Sequence, residues 1–158
     1  MLYVLLQELS SIYPNAIFAI LSKTYITIPQ NVKNQVKYVK PSLFTVGIEI
    51  LRSSTFILGG GTHLFDYGIK RRALKIQLRL LFLVLFTKLL GKKVYILGNG
   101  LGPFQTQWGK FLARIICYLA DYISVRDKIS YSFLIEWGLV NKAVLAFDLS
   151  VLLDPLNT

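Results

Sequence analysis

The chain reads as an α/β fold, a mostly parallel sheet with helices on both faces. Short apolar strands alternate with helical segments along its whole length. The strands are near-continuous apolar runs, too apolar for burial on one side only, as strands covered on both faces are. Two of them empty into glycine, at Phe56-Ile57-Leu58-Gly59-Gly60-Gly61-Thr62-His63 and at Tyr95-Ile96-Leu97-Gly98-Asn99-Gly100-Leu101-Gly102-Pro103. A glycine loop after a strand lets a phosphate or sugar lie against backbone N–H groups, and a repeated design points to a binding face at the carboxyl edge of the sheet.

The elements follow in order. Leu2 to Tyr13 is an apolar helix stopped by Tyr13-Pro14-Asn15, and Ala16 to Leu21 is a buried strand. Thr24 to Asn34 is a polar connection, and Gln35 to Val39 is a strand. Ser42 caps the next helix, whose inward residues are Leu43, Val46, Ile50 and Leu51. Thr55 to Leu58 is a strand that leads into the triple glycine. A long helix runs from about Tyr67 to Leu90, with Gly91 as its stop, and Lys93 to Leu97 is the next strand. Trp108, Phe111, Leu112, Ile115, Ile116 and Leu119 give Thr106 to Leu119 a helical period and its inner face. Tyr122 to Val125 is a strand. Asp127 caps a helix with inner residues Ile129, Phe133, Leu134 and Trp137, ended by Gly138, and Ala143 to Phe147 is the last strand.

Composition narrows the function classes. With 158 residues, 54% of them hydrophobic and 16% charged, the chain can bury a core and is not disordered. One Rossmann-like domain spanning residues 1–158 is expected. The most apolar stretch, Leu74 to Leu90, is interrupted by Lys75, Arg79 and Lys88. A spanning helix needs about 20 apolar residues, so this is a buried or interfacial helix. The N-terminus lacks a basic segment, and Glu8 comes too early for a signal peptide. The single cysteine, Cys117, lies on a helical core face and fits a reducing, cytoplasmic setting. The net charge of +10 suits anionic partners, but no aromatic stacking platform for nucleic acid is visible. One His and one Cys make no metal set.

The reactive groups of such a sheet stand at strand ends. His63, the only histidine, can exchange a proton with a bound hydroxyl or phosphate. Arg126 follows a strand at the same edge and can hold a carboxylate or phosphate bidentately, or pair with Asp127. Asp66 is placed to cap the next helix. Asp127 and Ser130 suit a helix first turn, and Asp148 closes the last strand. The triple glycine is not followed by Gly-Lys-Ser/Thr, and the second glycine segment has the wrong spacing for a dinucleotide fingerprint.

Four elements in order resemble the polysaccharide pyruvyl transferase family: Ile57-Leu58-Gly59-Gly60-Gly61-Thr62, Gly98-Asn99-Gly100-Leu101-Gly102-Pro103-Phe104, Ile123-Ser124-Val125-Arg126-Asp127-Lys128-Ile129-Ser130 and Ala146-Phe147-Asp148. The resemblance covers about Leu5 to Leu153. It implies a Rossmann-like domain forming one half of a glycosyltransferase-B-like pair. It also implies transfer of pyruvate from phosphoenolpyruvate to a sugar of a surface or cell-wall polysaccharide, forming a ketal, with no cofactor and no nucleic acid. On that reading His63 and Arg126 serve catalysis. Gly59, Gly60, Gly61, Thr62, Asn99, Gly100, Gly102, Pro103, Asp127, Ser130 and Asp148 bind substrate, and no carboxylate stands out as general base. Acceptors in such systems are often lipid-linked, which would bring the basic, apolar Lys70–Leu90 region near a membrane. The family's opening glycine-rich strand and second domain have no counterpart here, so the isolated chain is expected to be a fragment that does not turn over. A nucleotide-sugar-dependent glycosyltransferase-like domain, or a non-catalytic remnant, are the alternatives.

Overall fold

The computed structural model describes residues 2–22, 28, 30–67 and 70–146. The described residues fall into two compact units, one within residues 2–53 and one within residues 54–146. Among the described residues both are α/β with parallel sheets, flanked by five α-helices.

In the first unit, helix α1 (Leu2–Ile12) precedes strand β1 (Phe18–Leu21), a 3-10 helix (Gln30–Gln35), strand β2 (Val36–Val39) and helix α2 (Leu43–Arg52). β1 and β2 run parallel, in register from Phe18 beside Val36 to Leu21 beside Val39. The Ser42 side chain accepts from the Thr45 N–H at 3.2 Å, the cap expected of it. Val46 and Ile50, one turn apart, are the buried stripe of α2, whereas Leu43 and Leu51 are more than half exposed. Leu43 shares that line but stands at the very start of the helix, and Leu51 lies a further step round the helix from Ile50.

The second unit is a four-stranded sheet in the order β3 (Thr55–Leu64), β4 (Lys93–Leu101), β5 (Tyr122–Val125), β6 (Ala143–Leu145), all parallel. Between them run α3 (Lys70–Leu89), α4 (Gln107–Leu119) and α5 (Lys128–Glu136). Phe56 and Leu58 stand beside Val94 and Ile96, and Ile96 beside Ile123. This row meets Val84, Ile116, Cys117 and Leu134 in the core. Burial pushes the Cys117 thiol up to about 12, against a smaller opposing effect of Lys142, so it stays protonated and inert at neutral pH.

The inner face of α4 differs from the expectation. Its buried residues are Gly109, Leu112, Ala113, Ile116 and Cys117, while Trp108 and Phe111 are 70% and 51% exposed. Two apolar stripes overlap on this helix, and the one containing the small residues faces inward. Similarly, Leu134 and Trp137 of the α5 region are buried but Ile129 is exposed.

At the amino end of the sheet Asp121 holds α3, β4 and β5 together. Its carboxylate accepts from Lys88 Nζ at 2.9 Å and from the Val94 N–H at 2.8 Å, with Lys93 Nζ at 3.6 Å. Partial burial pushes its pKa up, but the Val94 and Lys88 hydrogen bonds and the charges of Lys88 and Lys93 outweigh this, and the group sits below the ordinary aspartate value. A depressed folded-state pKa contributes stability that is present above the unfolded value and lost as pH falls through the folded one. Asp121→Asn is therefore expected to lower stability at neutral pH, with the gap to wild type closing in acid; urea unfolding at pH about 7 and about 3 measures both.

Candidate functional site

Both glycine segments belong to strands rather than to loops. Pairing of β3 with β4 continues through Gly59 beside Leu97, Gly61 beside Asn99 and Leu64 beside Leu101, with a register shift between Gly61 and Leu64. The expected ends at Leu58 and Leu97 are too early because glycine lets a strand bulge and stay paired. Gly61 has φ +85°, and a Cβ there would lie 3.4 Å from His63 Nε2, so the missing side chain leaves space for the imidazole. His63 itself is exposed near the end of β3.

The same register gathers the other candidates. Asn99 stands beside Val125, and the Arg126 N–H donates to the Asn99 carbonyl at 3.4 Å. The β3 glycines, Asn99–Gly100 and half-buried Arg126 thus meet at the carboxyl ends of three neighbouring strands. Gly102 and Pro103 follow directly: the Gly102 N–H donates to the Leu64 carbonyl at 2.8 Å, and the Asp66 N–H to the Pro103 carbonyl at 3.3 Å. Gly60 and Thr62 lie within β3. Asp148 lies outside the described residues.

Asn99 is fully buried. Its side-chain amide donates to the Leu58 carbonyl at 2.8 Å and to the Leu97 carbonyl at 3.3 Å, which fixes the nitrogen's position. Among the described residues Oδ1 then has no partner. A buried acceptor left unmatched is costly unless a donor reaches it.

Asp127 and Ser130 make a relay. The Ser130 N–H donates to Asp127 Oδ1 and its hydroxyl to Oδ2, each at 2.7 Å, capping α5. The Ser130 hydroxyl accepts in turn from the Leu101 N–H at 2.7 Å. These contacts lock the end of β4 to the start of α5.

Sequence reasoning missed three supports. Ser124 Oγ accepts from the Gly98 N–H at 2.8 Å. Gln77, buried on α3, donates to the Phe65 carbonyl at 2.9 Å. Asp66 accepts from the backbone N–H groups of Gln105 and Thr106 and from the Thr106 hydroxyl, and so holds Thr106, the N-cap of α4, in place. Ser124 sits within a motif already singled out; nothing local in sequence links Asp66 to residues some forty positions later.

Fold and residue placement put the chain among open parallel α/β proteins, a class whose ligands bind outside the carboxyl ends of the strands. The family model for polysaccharide pyruvyl transferase matches residues 1–158, and the chain belongs to that family. No curated protein and no solved structure matches it significantly.

Proposed function

We propose that this chain serves the transfer of pyruvate from phosphoenolpyruvate to two hydroxyls of one sugar in a surface or cell-wall polysaccharide, at the carboxyl ends of β3, β4 and β5. The acceptor sugar can be lipid-linked, and the reaction takes place on the cytoplasmic side. Both hydroxyl oxygens bond to the central carbon of the donor, and its phosphate leaves. One hydroxyl proton ends on the methylene carbon, making it methyl, and the other leaves with phosphate. Atoms balance without a further reactant. The donor carries a phosphate and a carboxylate, which Arg126 can hold bidentately beside the backbone of the glycine strands. His63 is the group at this edge suited to moving a proton near neutral pH. Asp127 and Ser130 orient the Asn99–Gly102 segment, and Asn99 Oδ1 offers an acceptor for a sugar hydroxyl.

The observation that carries this reading is the register that sets Gly61, Asn99 and Val125 side by side, in a member of this family. The test is to incubate the gene product with phosphoenolpyruvate and a panel of glycans, following glycan-dependent phosphate release and seeking ketals by mass spectrometry. Ketal formation is expected. Glycosyl transfer from a nucleotide sugar, with no ketal, would replace this reading with the glycosyltransferase one.

A further inference from the structure

Helices α3 and α4 pack side by side over the sheet, and their outward sides remain apolar. α3 exposes Arg72, Lys75 and Arg79 in its first half, then Leu78, Phe82, Leu85 and Leu89. α4 exposes Trp108, Phe111, Arg114 and Tyr118 at helical spacing, with Trp108 set edge to face on Phe111 at 6.2 Å. Phe82 is 58% exposed, and Trp108 and Tyr118 each 70%. Scattered exposed hydrophobes are ordinary, but two adjacent helical rows of them mark an interaction surface.

Charge selects the occupant. Neither helix contains an aspartate or glutamate, so no acid of α3 or α4 stands beside Arg72, Lys75 and Arg114 among these apolar groups. A second copy would set like charges against each other. A nucleic acid would meet the bases but leave the leucines without a partner. An anionic bilayer answers both: leucine and phenylalanine enter the acyl boundary, tryptophan and tyrosine rest at headgroup depth, and arginine and lysine meet lipid phosphates. Among the described residues no helix is long and apolar enough to cross a membrane, so contact here is in the plane of the surface. We propose that the outer face of α3 and α4 docks peripherally on an anionic lipid bilayer. This inference is independent of the pyruvyl-transfer reading, and its test uses no activity.

The protein is sedimented with vesicles of phosphatidylcholine alone, or with roughly a third phosphatidylglycerol. Binding to the anionic vesicles is expected to be at least about tenfold stronger and to weaken as salt rises. Trp108 emission should shift to the blue and be quenched by brominated lipid, while Trp108→Phe should abolish both changes because Trp137 is buried. Each basic side chain near an anionic surface strengthens partitioning roughly fivefold, so Arg72→Gln/Lys75→Gln should weaken it about twenty-five-fold at low salt. Phe82→Ser/Trp108→Ser should also lose it, with the thermal midpoint retained. Equal binding to neutral vesicles, no binding, or binding unchanged in the variants would overturn the proposal. So would a stable dimer dissolved by Trp108→Ser, or a preference for nucleic acid over vesicles. The brominated-lipid measurement on the wild-type protein decides the matter if a variant fails to fold.

Discussion

Replacing Arg126 with alanine is expected to reduce pyruvyl transfer by about a hundredfold to a thousandfold. Arg126 leaves the end of β5, and its backbone is tied to Asn99 of the neighbouring strand. Its guanidinium therefore starts from a fixed point at the strand ends where the donor's phosphate and carboxylate are proposed to lie. A lysine there supplies charge but not the planar fork, so Arg126→Lys should recover only part of the loss. Steady-state kinetics against phosphoenolpyruvate and against glycan separate donor binding from the later steps. Activity within a few-fold of wild type in Arg126→Ala would remove Arg126 from the donor site. A matching fall in thermal stability would assign it a packing role instead.

Asp66→Ala should destabilise the second unit by about 3–5 kcal/mol, read as a fall in the urea midpoint. Asp66 is fully buried. Its loss strands the Gln105 and Thr106 N–H groups and the Thr106 hydroxyl, and removes a negative group from the positive end of α4. The same carboxyl group sets the identity of residue 109. A Cβ on Gly109 would lie 2.7 Å from Asp66 Cγ, so Gly109→Ala should cost about 1–3 kcal/mol through overpacking. Combining the two should cost less than their sum, because Asp66→Ala opens the space that the new methyl needs. Strict additivity in the double-mutant cycle would show that the two residues do not meet.

How much of this was legible beforehand depends on the range of the interaction concerned. The caps at Ser42 and Asp127 act on the helix that follows within three residues, and both were readable. The Asp66–Thr106 contact spans 40 positions and was not. Burial of Cys117 was readable because aliphatic neighbours surround it in sequence. The glycine segments were placed correctly after Leu58 and Leu97 but read as loops. Their continuation to Leu64 and Leu101 was hidden, because whether a glycine run stays in a ladder depends on the strand beside it.

The sequence by itself determined the alternation of strands and helices, the parallel class of the sheet and the family. These follow from local propensity and from the apolar character of whole segments. The tertiary structure decided which of two apolar stripes on α4 turned inward. Helical periodicity favoured Trp108 and Phe111, the larger hydrophobes. Asp66 occupies the space beside residue 109, where only a glycine fits, and this turns Gly109 and Ala113 toward the interior and leaves Trp108 and Phe111 facing outward.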